Sequence, residues 1–431
     1  MPGSRRGSTS RSDERTKKDM QHASLRDRKT IVTGTAVIVL SLSAALCAIG
    51  QDELRGDFQT DPPEATSTPT QAPKPNVSAS PTIEKPAAEK DEKIKKEKRY
   101  SIVPIPIPIN SPTFGTGMVL GVALVMKLNE KDLKSRPSSF ALITAFTNNG
   151  TRGVALAGKV YFAENKYQAR LAVGTGRAVY EYFGIGRIPD QPAVSTTIHQ
   201  TGRMIFGEFM RNVGKDIFVG ARYQYRRLTA HLGDKTTPGG FEIPPIDLLS
   251  TTAAIGFRVE RDLRDNEFYP TKGSLFSFQG DFFAKPLGSI RTYQSYAVNY
   301  NGYRSIGSKQ VIAYRGSACA VSDNAPFYDL CFYGSRSDLR GYTAGEFQNR
   351  RMFATQVEYR RELKWRLGVV GFAGVGGVAR RWSDFRSDEL LPAAGVGLRF
   401  IVDKKNHINY RIDLGFGRAG HTLTMAIAEA F

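Results

Sequence analysis

Few residues in this chain are spaced for chemistry, and the clearest pair points to bracing rather than catalysis. Cys319 and Cys331 lie twelve positions apart, and in an exported chain such an even pair forms a disulfide closing a ring of about 13 residues. Two free thiols are the alternative. The five histidines, His22, His199, His231, His407 and His421, show no His-x-x-x-His spacing, and no Cys-x-x-Cys accompanies them, so neither a metal site nor a cofactor is expected. Gly174, Thr175, Gly176 and Gly374, Val375, Gly376, Gly377 contain Gly-x-Gly, but each sits in strand-like sequence with no helix after it. They read as close-packed strand positions, not phosphate loops. There is no Gly-x-Ser-x-Gly elbow, and an enzyme is not expected.

The elements that carry these residues are strands. Mean hydropathy is −0.32, and only residues 31–49 form a long apolar run, which excludes a bundle of transmembrane helices. From Tyr100 onward apolar and polar or small residues alternate, as in Met118, Leu120, Val122, Leu124 and Met126. A period of two means strand. Fifteen such segments run from 115–126 to 421–431, separated by Gly, Asn, Asp and Pro clusters, with no amphipathic helix between them. A soluble sandwich or propeller competes with a membrane barrel. Strands with one apolar and one polar face, together with connections that alternate short and long, favour an all-β transmembrane antiparallel barrel. With the C-terminus in the periplasm, the turns at 163–166, 212–216, 265–273, 305–309, 363–365 and 403–407 are periplasmic. The loops at 179–197, 232–248, 323–349 and 381–390 then face outward. This orientation requires a strand before 115–126, and residues 101–109 supply it, making sixteen.

The strands follow an export segment and a linker. Residues 1–50 combine basic residues such as Arg5, Arg6, Lys17, Lys18 and Lys29 with the apolar run and Gly50 at a cleavage site, which reads as a secretory signal. Met20 is an alternative start, and a retained membrane anchor is the rival reading. A lipoprotein is disfavoured because Leu46, not a small residue, precedes Cys47. Residues 51–99 hold Pro62, Pro63, Pro69, Pro73, Pro75, Pro81 and Pro86 and then a Lys/Glu run; they are expected to be a disordered periplasmic linker. The barrel takes 100–431. The chain has 60 Lys and Arg against 41 Asp and Glu; without 1–50 the balance is 51 against 37, a net charge of +14. In an exported protein this charge faces anionic lipid and lipopolysaccharide rather than nucleic acid.

Two motifs resemble a known family. Gly334, Ser335, Arg336, Ser337, Asp338, Leu339, Arg340, Gly341 and Tyr342 sit in the longest outward loop, and Leu339 to Tyr342 resemble the Arg-Gly-Phe/Tyr loop of the BamA/TamA family, the bacterial surface antigen barrels. Asp262, Leu263, Arg264, Asp265 and Asn266, followed by Pro270 and Gly273, resemble that family's periplasmic turn. The terminal Phe431, grouped on one face with Leu423, Met425 and Ile427, resembles the C-terminal recognition signal of outer-membrane barrels. The resemblance covers about residues 100–431. It implies a sixteen-stranded barrel in the outer membrane of a Gram-negative-type bacterium that helps insert or translocate other outer-membrane proteins. The 49 residues between Gly50 and the barrel are too few for the family's POTRA domains. Where the family often has Phe-x-Asp-x-Gly on the second strand after the loop, Phe372, Ala373, Gly374, Val375 and Gly376 lack the carboxylate. The family's glutamate on the first strand has its match in Glu358.

An arginine beside a glycine in a long loop can fold back into a polar lumen, where its guanidinium needs a carboxylate or carbonyls to offset its desolvation. Glu358 is the nearest carboxylate on a following strand and shares a polar face with Gln356 and Arg360; Arg340 exposed to headgroups is the alternative. Pro104, Pro106 and Pro108 delete N–H donors on one side of their strand only. That side is expected to face the last strand and form a weak seam; a polyproline lead-in outside the barrel is the other reading. The function expected is insertion or translocation through a seam opening toward lipid, with unfolded outer-membrane proteins or a periplasmic protein reached through the linker as partners, and the barrel a monomer. The alternative is a passive structural barrel, surface antigen or narrow pore.

Overall fold

Alternation of side chains settles which way each strand faces. In the segment Arg351–Glu362, Gln356, Glu358 and Arg360 are buried, whereas Val357 and Tyr359 are 54% and 38% exposed. Apolar residues therefore point outward and charged ones inward, the inverse of a soluble fold and the pattern of a barrel whose outer wall meets hydrocarbon. Because hydrocarbon offers backbone groups no partners, such a sheet must close on itself.

The computed structural model describes residues 100–431 except 112, 130, 133–134, 136–137, 192–194, 233–247, 267, 335–338 and 404–406. The expected signal segment 1–50 and linker 51–99 lie outside the described residues, as do Ser335 to Asp338 of the loop motif. The strands are β1 (Tyr100–Ser111), β2 (Gly115–Met126), β3 (Ser138–Thr147), β4 (Arg152–Phe162), β5 (Tyr167–Tyr182) and β6 (Thr196–Asn212). They continue with β7 (Ile217–Leu232), β8 (Leu249–Asp262), β9 (Gly273–Phe283), β10 (Tyr293–Gly307) and β11 (Gln310–Val321). Two short strands, β12 (Cys331–Phe332) and β13 (Gln348–Asn349), precede β14 (Arg351–Glu362), β15 (Leu367–Ala379), β16 (Leu391–Asp403), β17 (Ile408–Gly417) and β18 (Gly420–Ile427). Sixteen of these close an antiparallel barrel in sequential order, with β14 beside β11 and β18 beside β1. β12 and β13 form a separate two-stranded sheet inside the β11–β14 loop, which the sequence pattern did not reveal.

Tight turns gather at one end. Residues in the left-handed region, among them Ala163, Glu164, Asn165, Lys215, Asp216, Trp365 and His407, reverse the chain there within a few positions. Short turns mark the periplasmic end of such barrels.

The last strand differs from expectation. It ends at Ile427, not at 431, because Ala428 adopts φ 64° while its N–H still donates to Asn409 O. The residues beyond it turn into the lumen, where Phe431 packs against Tyr303 and Ala313. Phe431 therefore does not share a face with Leu423, Met425 and Ile427. Glu429, which would have faced lipid in a continuing strand, instead accepts from Arg399 Nε at 2.7 Å and Asn409 Nδ2 at 2.7 Å.

Cys319 of β11 and Cys331 of β12 are disulfide-bonded, with Cα atoms 5.7 Å apart. Unreduced protein should take up no maleimide at either cysteine. Reduction should lower the unfolding free energy by about 3 kcal/mol in denaturant titration, the chain-entropy value for a ring this size. Labelling of both thiols without reductant would contradict the bond.

Candidate functional site

The β11–β14 loop turns into the barrel and brings Arg340 to a cluster of inward side chains. Arg340 Nη2 donates to Glu358 Oε2 on β14, Nη1 donates to Asp413 Oδ2 on β17 at 2.9 Å, and the guanidinium lies 3.6 Å from the ring centroid of Phe372 on β15. All three charged side chains are at most 4% exposed. A buried guanidinium is tolerated only when carboxylates and a ring face replace its water, which is what β14, β15 and β17 provide. The network extends further. Asp413 accepts from Arg399 Nη1 at 2.6 Å and Arg411 Nη1 at 2.9 Å, while Glu358 accepts from Arg360 Nε at 2.6 Å. Arg360 Nη2 donates to the main-chain oxygen of Phe431 at 2.7 Å, so the loop arginine is linked to the inturned tail.

Asp413, Arg399, Arg411 and Glu429 were not anticipated as partners. Asp413 supplies the carboxylate that Gly374 lacks, from a strand two further along. A signal did exist: Asn409, Arg411 and Asp413 form a polar face on β17 opposite the outward side of Ile408, Tyr410 and Ile412.

Glycines make room for the loop. A Cβ on Gly415 would lie 2.7 Å from the Gly341 nitrogen; one on Gly374 or Gly376 would crowd both the carbonyls of Thr355 and Phe353 on the neighbouring strand and the loop, at 2.7 Å from Leu339 and 2.5 Å from Tyr333. The wall is stripped of side chains where the loop motif docks. Gly341 has φ +114°, a conformation that favours glycine, and its N–H donates to Thr422 Oγ1 of β18 at 3.1 Å. Tyr342 OH donates to Pro392 O at 2.6 Å.

The rest of the loop reaches the opposite wall. Arg226 of β7 grips Asp329 through both terminal nitrogens at 2.7 and 2.5 Å, Gln348 Nε2 donates to Gly184 O at 2.8 Å, and Thr113 Oγ1 donates to Ala344 O at 3.1 Å. Glu346 pairs with Arg187; burial pushes its carboxyl up, against the pull of that arginine. The loop thus crosses the outward mouth.

The turn motif lies at the other end and does not join this cluster. Asp265 Oδ1 accepts from the N–H groups of Asn266, Thr271 and Lys272, and Asn266 Oδ1 accepts from those of Phe268 and Tyr269. Asp262 holds Arg264 bidentately at 2.9 and 3.0 Å. Gly273 has φ +94°, and Pro270 is buried. The motif builds a rigid turn whose product is the placement of Tyr269: its ring stacks on His407 at 4.3 Å, six strands away around the ring. Pro104, Pro106 and Pro108 lie in β1, paired with Val122, Leu120 and Met118 of β2.

Sixteen strands with a charged lumen and an apolar outer wall define an outer-membrane β-barrel. A model of the Omp85 superfamily domain matches residues 143–403, and the chain belongs to that superfamily. Outer membrane protein assembly factor BamA of Nitratidesulfovibrio vulgaris is 26% identical over 161 residues, 33% of this chain and 20% of that protein. The chain therefore matches about a fifth of the length of this curated relative. Among solved structures, BamA from Haemophilus ducreyi lacking POTRA domains 1–3 superposes with a TM-score of 0.51 at 14% identity, covering 77% of this chain and 70% of that one. CdiB from Acinetobacter baumannii gives 0.51 at 12%, covering 77% and 60%. These likenesses are of fold.

Removing either partner of a buried ion pair strands the other, at about 3–5 kcal/mol. Arg340→Ala and Glu358→Ala should each lose that much in urea unfolding of the micellar barrel, and the double variant less than the sum. Additive losses would rule out the pairing. Gly415→Leu should displace the loop backbone at Arg340 and Gly341, the atoms nearest its added side chain, and open the loop to limited proteolysis that the wild type resists; an uncut loop would show that the bare wall is not what seats it.

Proposed function

We propose that this barrel inserts or translocates other outer-membrane proteins by parting at the seam between β1 and β18. One observation carries the reading: among the described residues, β1 pairs with β2 at twelve positions but with β18 only at Asn110 and Met425. Extending that register would set residues 428–431 opposite 104–107, but Ala428 turns them into the lumen. Pro104, Pro106 and Pro108 share one parity, so their missing donors fall on one side of β1; that this is the β18 side belongs to the proposal. A sheet edge with few hydrogen bonds is a site where another strand can add. Membership of the Omp85 superfamily supports the same reading. The loop crossing the outward mouth weighs against a passive pore. Unfolded outer-membrane proteins are the proposed substrates, the working unit a single barrel, and residues 51–99 the segment offered to a periplasmic partner.

Depletion should lower the levels of other outer-membrane proteins, and wild-type protein should restore them. Asn110→Cys combined with Met425→Cys should crosslink in membranes and fail to restore them, while each single variant succeeds. An unchanged outer-membrane proteome on depletion would overturn the insertion reading in favour of a structural barrel. Full restoration by the crosslinked form would overturn the seam.

A further inference from the structure

The outer wall is unevenly charged, and the unevenness selects a ligand. On the lipid-facing side of β10 and β14, Arg304 and Arg361 stand exposed at the short-turn end. Arg304 is in register with Ile312, and Ile312 with Tyr359, so a row of apolar and aromatic side chains lies level with it. Lys309, Lys364 and Arg366 are exposed in the adjoining turns. Arg366 Nη1 donates to the carbonyls of Ile401 and Val402 at 3.1 and 3.2 Å, which fixes its turn against β16, and Trp365 beside it is 92% exposed. The carboxylates nearest the patch are engaged elsewhere: Glu362, on the inner side of β14, meets His407 Nε2 at 3.1 Å, and Asp265 in the turn beside β10 accepts from the N–H groups of Asn266, Thr271 and Lys272. The outward β15–β16 loop is different, because Arg380, Arg381 and Arg386 alternate there with Asp384, Asp388 and Glu389.

We infer that this patch binds the headgroups of anionic phospholipids in the periplasmic leaflet. The inference is independent of the seam. Arg361 lies one outward position beyond Tyr359 and Val357, where the apolar wall gives way to the turns. A ligand reaching both arginines sits at the polar boundary of the bilayer. Guanidinium groups suit phosphate oxygens, tryptophan suits this depth, and clustered cations are attracted to an anionic leaflet. A soluble acidic protein fits less well, because Arg304 stands among side chains that contact acyl chains.

The chain has two tryptophans, so Trp382→Phe leaves Trp365 as the reporter. In proteoliposomes of the full chain, brominated phosphatidylglycerol should quench Trp365 in preference to brominated phosphatidylcholine. Arg304→Gln with Arg361→Gln should reduce that preference about fivefold per charge removed. Arg380→Gln with Arg386→Gln should leave it unchanged. If the first pair loses its heat-modifiable barrel form, Lys309→Gln with Lys364→Gln gives the same reading from residues in the turns. Equal quenching by the two lipids, or a preference that survives loss of the charges, overturns the inference.

Discussion

A guanidinium held away from water must find carboxylate or carbonyl oxygens, and the arrangement of this barrel follows from the carboxylates that Arg340 finds. Glu358 lies on β14 and Asp413 on β17, with two strands between them. Both can face one side chain only where the wall curves around it, so the pairing is a property of the closed cylinder and not of any hairpin. Seating the arginine brings the loop backbone onto the wall, and the wall accommodates it by having glycine at Gly374, Gly376 and Gly415. The remaining charges then need partners of their own. Arg399 satisfies both Asp413 and Glu429, and Glu429 is in the lumen only because Ala428 has turned the chain inward. The loop, the wall and the tail are held by one continuous set of ion pairs.

The two ends of the barrel are bridged by different physics. Outward, charge and hydrogen bonding hold a long loop across the mouth. On the periplasmic side a short turn held by Asp265 and Asn266 carries Tyr269 across to His407 and buries it. The motif residues act there through backbone geometry, which is why none of them approaches Arg340.

Period-two alternation made the wall legible: it is a local property, and a half-turn per residue fixes which face meets lipid. Glu358 was legible for the same reason, since its face is continuous with Gln356 and Arg360. Asp413 was not, although its strand shows the same pattern, because nothing in a sequence says which inward positions meet across a lumen. The end of β18 was misread because Phe431 has the parity of Leu423, Met425 and Ile427, although Glu429 interrupts that apolar series; the left-handed Ala428 ends the face before it. The β12–β13 pair is too short to leave a periodic trace.

The disulfide and the seam imply an order of events in the making of the molecule. Cys319 and Cys331 are 12 positions apart, whereas Asn110 and Leu423, which meet at the seam through a side-chain hydrogen bond, are separated by 313. Closing the longer span costs about 3 kcal/mol more chain entropy, and the seam's single register pair returns little of it. Local hairpins and the cysteine ring should therefore form while the two terminal strands are still apart. The nascent barrel should then be an open sheet that carries its cysteine ring while Arg340 still lacks the curved wall that seats it, and the meeting of the two edges should be the last and most reversible step of its biogenesis.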